Sequence, residues 1–430
     1  MENPRERRNA QDGSQPSSDE RSSRLDEIRS GVNRRAFLTG TAALIGVTAT
    51  QVLLPQLRAE PPSAPDDSTK VPGIPPSPYG QRSAFEQAQR LAGTAHSLTP
   101  LQDLHGIVTP ASLHFERHHN GVPLIDPVRH RLLIHGLVQR PMIFTMDELK
   151  RFPAVSRLAF IECSGNSAGE WREPGGQTVQ QTHGLMSTSE WTGVLLATVL
   201  QEAGVKPKAT WVLAEGSDAA AMTRSLPLKK IMEEAILCYA QNGEALRPEQ
   251  GYPLRLVIPG WEGNACIKWL RRLKLGNAPF MTREETSHYT DLMPDGTARQ
   301  FTFVMEAKSV ITSPSGGQQI LPGFVEIRGL AWSGQGRVRQ VEVSTDGGRT
   351  WQLAQLQKPV LPKCHTRFTF PWRWNGQETI LQSRCTDDTG YVQPSRQALI
   401  AVRGVNSVYH YNAIPSWKVS RDGTVQNVHV

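Results

Sequence analysis

The arrangement of apolar and polar residues changes about two thirds of the way along the chain. Between residues 97 and 305, apolar runs typical of buried strands alternate with segments of helical periodicity. After Met305 the apolar stretches are short, and turns such as Asp346-Gly347-Gly348 separate them. The first pattern predicts an α+β domain over residues 97–305, and the second predicts a β-sandwich over residues 306–430.

Several elements of the α+β domain can be predicted individually. Thr145 and Glu148 have the spacing of a capping box and indicate the start of a short helix. A long helix is expected over residues 191–203, because leucines and valines repeat at helical spacing and Gly204 can end it. The predicted strands are residues 131–138, 158–161, 210–214, 235–240 and 252–260.

The sandwich region holds apolar stretches of strand length without a cluster of catalytic residue types. We therefore expect it to serve packing, dimerisation or partner docking. Its predicted strands are residues 324–329, 338–343, 351–356, 367–370, 378–385 and 398–402.

One stretch of the α+β domain has the pattern of a ligand-binding or catalytic turn. The apolar residues 158–161 are followed after Glu162 by the small residues Cys163-Ser164-Gly165. This pattern predicts a tight turn that presents Cys163 at a strand end beside open backbone amides, where a ligand or nucleophile fits. The alternative is that Cys163 is a small core residue, since free cysteine is among the most buried residue types.

A second motif overlaps this turn. Gly165-Asn166-Ser167-Ala168-Gly169 matches the G-x-S-x-G elbow of serine hydrolases, in which a helix must follow the serine. The nearby Pro174-Gly175-Gly176 is unsuited to a helix and disfavours this interpretation. A serine hydrolase that uses Ser167 stays as the alternative from a different class of enzyme.

Three histidines, His114, His118 and His119, lie close together in a stretch that Asn120 and Gly121 identify as a loop. Their spacing leaves a zinc site open, although no matching cluster of cysteine or histidine follows. A loop with imidazoles and an arginine also suits a phosphate or another oxyanion. A solvated polar loop without function is the third interpretation.

The N-terminal residues have the composition of a targeting segment. Asn33-Arg34-Arg35-Ala36-Phe37-Leu38, followed by a modestly apolar run, is a twin-arginine signal pattern within residues 1–59. The alternative is a membrane anchor, for which the run is short and polar. The pattern predicts a periplasmic protein without a membrane span in its mature form, and this export route favours a cofactor inserted in the cytoplasm.

Residues 60–96 are rich in proline and serine and predict a linker or arm, with a short helix near residues 84–91. The net charge of +7 falls to +5 without residues 1–59, and such a mild balance does not favour nucleic-acid binding. The five cysteines form no C-x-x-C-H motif, so we expect no covalent haem in this chain. A disulfide between Cys364 and Cys385 stays open.

Five motifs, taken in order, carry a resemblance to a known family. They are Phe115-Glu116-Arg117-His118-His119, Cys163-Ser164-Gly165-Asn166, Glu215-Gly216-Ser217-Asp218, Gln250-Gly251-Tyr252-Pro253-Leu254-Arg255 and the segment from Gly263 to Leu270. With them, the chain from about residue 97 onward resembles the sulfite oxidase family of molybdenum enzymes. The resemblance implies a molybdopterin-binding α+β domain followed by an immunoglobulin-like sandwich that dimerises.

By this resemblance, Cys163 provides the thiolate ligand of molybdenum, which suits the preference of soft metals for sulfur. Arg117 and Tyr289 would face the substrate. Gln250 stands where the family usually has histidine. The residues implied to hold the molybdenum–molybdopterin cofactor are Phe115, Glu116, Arg117, His118, His119, Cys163, Asp218, Gln250, Arg255, Cys266, Ile267 and Lys268.

The resemblance also implies a reaction and partners. The family's ligand turn usually continues with two arginines, the second of which helps to hold sulfite, whereas this chain has Ser167 and Ala168 there. We therefore expect oxidation of sulfane sulfur on a carrier protein such as SoxYZ, with oxygen from water and electrons passed to a c-type cytochrome resembling SoxD. The expected assembly is a homodimer of this chain within a heterotetramer. A periplasmic sulfite dehydrogenase is the nearest alternative.

Overall fold

The computed structural model describes residues 73–430. The predicted signal region, residues 1–59, and the first part of the predicted linker lie outside the described residues. The helix expected near residues 84–91 is wrong, because residues 84 and 85 form only a turn and the chain then enters a short strand. Within residues 73–430, no helix is long and apolar enough to cross a bilayer.

Short strands dominate residues 81–305. The strands are β1 (Leu91–Ala92), β2 (His96–Leu98), β3 (Glu116–Arg117), β4 (Leu132–Gly136), β5 (Met142–Phe144), β6 (Ala154–Glu162), β7 (Met186–Leu195), β8 (Trp211–Gly216), β9 (Thr223–Pro227), β10 (Ile236–Gln241), β11 (Glu244–Ala245), β12 (Arg255–Val257), β13 (Leu270–Gly276), β14 (Asp291–Leu292) and β15 (Ala298–Arg299). The α-helices are α1 (Met146–Leu149), α2 (Val179–His183), α3 (Leu196–Ala203) and α4 (Leu228–Glu234). Single turns of 3-10 or π helix occur at Ala111–Leu113, Ala168–Trp171, Pro248–Gln250, Gly263–Ala265 and Glu284–His288.

Two larger sheets organise this region. One has the strand order β5-β4-β13-β8-β9, and the other has the order β11-β10-β7-β6 with β12 also paired to β10. β4 and β13 are parallel, whereas the other pairs in these sheets are antiparallel. The mixture of sheets and short helices confirms the α+β prediction, and Cys163 directly follows β6 as expected.

The helix predicted over residues 191–203 is wrong in its first part. Residues 191–195 belong to β7, which pairs with β6 on one side and β10 on the other. Trp191 is fully buried and donates a hydrogen bond from its indole nitrogen to the carbonyl oxygen of Ala159 (3.1 Å). These nonlocal pairs fix the strand, so α3 begins only at Leu196 and ends at Gly204 with a φ of +71°.

The C-terminal region is a two-sheet sandwich, as predicted. Its strands are β16 (Lys308–Ser313), β17 (Gly323–Trp332), β18 (Val338–Ser344), β19 (Gln352–Leu353), β20 (Gln355–Leu356), β21 (Thr366–Trp374), β22 (Thr379–Asp387), β23 (Ser416–Val419) and β24 (Val425–Val428). The sheets have the orders β16-β17-β21-β20 and β19-β18-β22-β23-β24. Cys364 and Cys385 are buried there as free thiols.

The strand predicted over residues 398–402 is wrong. This segment is the helix α5 (Arg396–Arg403), and the hydroxyl of Ser395 caps it by accepting a hydrogen bond from the backbone of Ala398 (3.2 Å). Arg403 is buried and forms an ion pair with Asp291 (3.1 Å), which holds the helix against the α+β region, and a second one with Glu306 (3.2 Å).

We call residues 97–305 the first module and residues 306–430 the sandwich module. Phe160 and Met186 of the first module pack in the same buried cluster as Ile327 and Trp417 of the sandwich. Residues 81–430 accordingly form one compact unit. The division at residue 305 stays a prediction from the sequence.

Gly260 lies where the modules meet and provides a test of this packing. Its φ is +80°, and a Cβ atom there would lie 2.2 Å from the carbonyl oxygen of Gly334. Gly260→Ala should therefore combine backbone strain with overpacking and lower the free energy of unfolding by about 2–4 kcal/mol. Urea denaturation followed by circular dichroism measures this loss.

The matched control is Gly243→Ala. Gly243 has the same φ of +80°, but no atom lies within 4 Å of its added Cβ. Only the strain of about 1–2 kcal/mol should then appear. Equal losses in the two variants would contradict close packing of the modules at Gly260.

Candidate functional site

One cavity brings together the motifs that the sequence analysis selected. The space within it not filled by protein atoms, which includes its opening to solvent, is about 660 Å³. All of the proposed site residues line this cavity: Phe115, Glu116, Arg117, His118, His119, Cys163, Asp218, Gln250, Arg255, Cys266, Ile267, Lys268 and Tyr289. Asn264 and Trp269, which belong to the fifth motif, also line it, and Met222 lines it without belonging to any of the motifs.

Cys163 occupies the turn that follows β6. Its backbone N–H donates to the carbonyl oxygen of Leu185 (3.0 Å), and its own carbonyl oxygen accepts from the N–H of Asn166 (2.8 Å). Burial raises the pKa of the Cys163 thiol, whereas the backbone N–H of Gly165 and the charge of Arg117 act in the opposite direction. The raised pKa favours the neutral thiol, so a metal or another cation is needed to hold the sulfur as thiolate.

Lys268 lines the same cavity, and three acceptors hold its ammonium. Its ammonium donates to the carbonyl oxygens of Arg117 (2.9 Å) and Glu249 (3.1 Å) and to Nδ1 of His118 (3.1 Å). Because Nδ1 of His118 accepts, its Nε2–H donates to the carboxylate of Glu116 (2.8 Å). Burial and the nearby Arg255 lower the pKa of Lys268 to about 7.

Gln250 and Arg255 form a buried pair at the floor of the cavity. The guanidinium of Arg255 donates to both the backbone and side-chain oxygens of Gln250, each at 3.0 Å. Gln250 in turn donates its amide N–H to the carbonyl oxygen of Phe115 (2.8 Å). Nε of Arg255 has no hydrogen-bond partner among residues 73–430, although it is buried. A buried donor without a partner is costly, so this atom marks a place for an anionic ligand.

Tyr289 lies against residues from distant parts of the chain. The guanidinium of Arg224 lies 4.8 Å from the centre of its ring, and the ring of Tyr409 lies at 5.2 Å. Burial and the neighbouring Cys163 raise the pKa of Tyr289 well above its usual value. The same two causes raise the pKa of Tyr409 to about 12. Both phenols are therefore neutral at physiological pH.

Arg224 itself is fixed by a set of buried partners. It donates to Glu262 and Glu285, each at 3.0 Å, and to the side-chain oxygen of Asn264. Burial alone would raise the pKa of Glu262, but Arg224 and His410 outweigh it and lower that pKa to about 2. No sequence motif marks Arg224 or Tyr409, so only the fold identifies them as neighbours of the site.

The three histidines do not converge on a metal site. His114 is buried, its Nδ1 lies 2.9 Å from the carbonyl oxygen of Phe115, and its ring packs edge-on against Trp191. His118 is paired with Glu116. Among the described residues, no group of three or more potential ligands from His, Cys, Asp and Glu comes together. The structure therefore does not support the zinc interpretation.

The elbow motif does not form a hydrolase site either. Ser167 is buried, and its hydroxyl contacts the ammonium of Lys308 at 3.0 Å rather than an imidazole. Ser167 and Ala168 line a second cavity, of about 420 Å³, together with His96, Gln181 and Thr182. Ala168 is thus not among the residues that line the cavity of Cys163, contrary to the place that the sequence analysis gave it.

Models of two protein families match the chain. The "oxidoreductase molybdopterin binding domain" matches residues 119–284, and the "Mo-co oxidoreductase dimerisation domain" matches residues 299–416. Sulfite oxidase of Gallus gallus is 30% identical over 379 residues, which cover 81% of this chain and 80% of that protein. The chain belongs to the sulfite oxidase family. The molybdopterin-binding module and the following sandwich implied by the resemblance are therefore confirmed.

A solved structure gives the same result at higher identity. The sulfane dehydrogenase SoxCD from Paracoccus pantotrophus matches with a TM-score of 0.81 and 45% identity, over 86% of this chain and all of that chain. Nitrate reductase [NADH] 1 of Oryza sativa subsp. japonica is 34% identical over 370 residues. The chain spans 60% of sulfite oxidase from Rattus norvegicus and 38% of the rice enzyme. Relatives named for different substrates show that family membership alone does not fix the reaction.

The cavity fits the cofactor that the family implies. Cys163 provides a sulfur ligand, the buried Nε of Arg255 has no partner among the described residues, and Lys268 adds a positive charge to the same cavity. Gly251, with a φ of +109°, leaves room where a Cβ would approach Lys268 to 3.1 Å. A large ligand with one soft-metal position and a phosphate suits this combination.

Lys268 should make the stability of the cofactor-free protein depend on pH. Its pKa of about 7 in the folded protein lies below the ordinary value of 10.5, so the unfolded chain binds the extra proton between these limits. The free energy of unfolding should rise with pH from 7 to 10, by at most about 1.4 kcal/mol per pH unit. In Lys268→Met this rise should be smaller. Thermal unfolding of both cofactor-free proteins across that pH range measures the difference, and parallel profiles would contradict it.

Proposed function

We propose that this chain is the molybdenum subunit of an enzyme that oxidises reduced sulfur, with Cys163 as the protein ligand of the metal. The observation that carries the proposal is that Cys163, in the turn after β6, lines one cavity together with all the other cofactor residues that the family resemblance implies. When bound, the cofactor supplies the two-electron transfer of an oxygen atom from water to the substrate. Each oxygen gained by the substrate releases two electrons and two protons.

The residues of the chain then have separate tasks. Arg255 and Lys268 bind anionic groups of the cofactor, and the Gln250 amide orients Arg255. Arg117 lines the cavity, and its charge acts on the Cys163 thiol. It orients an anionic end of the substrate. Tyr289 provides a neutral phenol that donates a hydrogen bond to the reacting group.

Metal analysis tests the proposal directly. Purified protein should contain about one molybdenum per chain, and Cys163→Ser should lose most of it because a hydroxyl is a poor ligand for a soft metal. Cys385→Ser is the control, since Cys385 is buried in the sandwich. An active wild-type protein without molybdenum would rule out this function.

We further propose that the substrate is sulfane sulfur on a carrier protein rather than free sulfite. Two neutral phenols, Tyr289 and Tyr409, lie near Cys163, and the only guanidinium groups that line its cavity in the described residues are those of Arg117 and Arg255. A small dianion would therefore have few charge-assisted hydrogen bonds, whereas a carrier-bound persulfide depends on them less. The likeness to a structure titled sulfane dehydrogenase supports this choice. Sulfite dehydrogenase stays as the alternative.

Adding a guanidinium beside Tyr289 should shift this preference. In Tyr409→Arg, the efficiency with free sulfite should rise about tenfold or more, because one charge-assisted bond contributes about 1.5–3 kcal/mol. Steady-state kcat/KM for sulfite and for a persulfidated carrier gives the ratio. Ala168→Arg is the control, since it adds the same charge at the second cavity. Efficient oxidation of sulfite by the wild type, unchanged in Tyr409→Arg, would favour the sulfite dehydrogenase.

The export route and the partners are part of the same proposal. The twin-arginine pattern near Arg34 supports a periplasmic location, and the electrons would pass to a SoxD-like c-type cytochrome. The dimerisation-domain match and the exposed Leu321 and Phe324 of the sandwich module support a homodimer within a heterotetramer. A monomer in light scattering at micromolar concentration would contradict the dimer.

A further inference from the structure

Lys308, the first residue of β16 in the sandwich module, reaches into the turn that carries Cys163. Its side chain is almost completely buried. The ammonium donates to the carboxylate of Glu162 (3.1 Å) and to the hydroxyl of Ser167 (3.0 Å). Glu162 precedes Cys163 and Ser167 ends the turn, so one ammonium connects the two ends of the segment that holds the sulfur.

The Glu162 carboxylate has further partners that restrict the same turn. It accepts from the amide of Asn166 (2.9 Å) within the turn and from the indole N–H of Trp332 (2.7 Å) on β17. Asn166 also accepts from the backbone N–H of Leu185 (3.1 Å). The carboxylate is thus shared between the turn and two strands of the sandwich module.

The backbone of the turn needs such support. Ser167 has a φ of +66°, a left-handed conformation that is unfavourable for a residue with a Cβ atom. A glycine would relieve this strain but would lack the hydroxyl that meets Lys308. The backbone N–H of His410 adds another contact from the sandwich module, to the carbonyl oxygen of Ser164 (2.8 Å).

A buried ion pair adds little to the stability of the folded protein, since apolar residues of the same size in its place often stabilise the fold as well or better. The boundary between the modules contains another pair, Lys363 with Glu234 (2.6 Å), which is partly exposed and does not involve the turn. The Lys308 pair differs in being dry and in touching both ends of the turn. This position indicates that the pair fixes the conformation of the Cys163 turn rather than stabilising the contact between the modules.

We propose that Lys308 is a positioning residue through which the sandwich module fixes the Cys163 turn, and so the direction of its sulfur, for the metal. This inference rests on the proposed role of Cys163 as ligand. It makes the sandwich module part of the active-site structure within the same chain.

The first experiment uses cofactor-free protein, so that it does not depend on the metal. Lys308→Met removes the ammonium, and Glu162→Gln combined with Lys308→Met removes both charges and avoids an unpaired buried carboxylate. Cys163 is the least buried of the five cysteines, so iodoacetamide labelling followed by mass spectrometry can monitor it. Both variants should label Cys163 about fivefold faster or more, because the turn opens more often.

The sign of this change is informative in Lys308→Met. Loss of a cation alone would disfavour the thiolate and slow alkylation, so faster labelling of that variant reports motion of the turn. The matched control is Glu234→Gln combined with Lys363→Met, which removes the Lys363–Glu234 ion pair at the boundary between the modules. Its labelling rate should equal that of the wild type.

The second experiment uses the loaded enzyme. The double variant of Glu162 and Lys308 should lower kcat by about tenfold or more with KM nearly unchanged, because a misdirected ligand affects the reaction rather than substrate binding. The electron paramagnetic resonance signal of the half-reduced metal should shift as well. The control pair at Glu234 and Lys363 should leave both unchanged, whatever its effect on thermal stability.

Unchanged labelling and an unchanged resonance signal in the double variant would overturn the positioning role, even if its melting temperature falls. A wild-type protein that binds no molybdenum would instead overturn the proposed function. The labelling of cofactor-free protein would still decide whether Lys308 fixes the turn, so the two failures are distinguishable.

Discussion

The burial of one carboxylate, that of Glu162, constrains the arrangement of the site. A carboxylate without solvent must be surrounded by donors, and its donors come from the turn itself and from two strands of the sandwich module. Satisfying it therefore requires the two modules to be docked and the turn to be closed. The hydrogen bonds that satisfy the carboxylate of Glu162 therefore also fix the position of the next residue, Cys163.

In the cavity beside this turn, the buried groups that need partners are positively charged. Lys268 is held by carbonyl oxygens and an imidazole, and Arg255 keeps a buried nitrogen without a partner among the described residues. Burial already lowers the pKa of Lys268 to about 7, which means that the positive charge is unfavourable until an anion arrives. An anionic ligand that binds there would stabilise the folded protein, because it would compensate these buried positive groups.

Local sequence patterns predicted those parts of the structure that depend on neighbours along the chain. The capping box of Thr145 and the turn at Cys163 are of this kind, and both formed as expected. The helix predicted for residues 191–195 was wrong, because Trp191 and its neighbours pair with strands that are distant in the sequence. The cofactor residues were predicted through family motifs, not through periodicity, and the structure brings them to one cavity.

Lys308 and Tyr409 were missed for a common reason. Each is a single residue without a local motif, and each reaches the first module only because the sandwich packs against it. The motifs shared within the family describe the cavity for the cofactor, which different members have in common. Substrate preference and ligand geometry depend on what the second module contributes across the boundary. A guanidinium or a phenol at the position of Tyr409 changes the charge beside the metal ligand without altering the fold. The sandwich module is thus a place where specificity can change while the cofactor cavity stays the same.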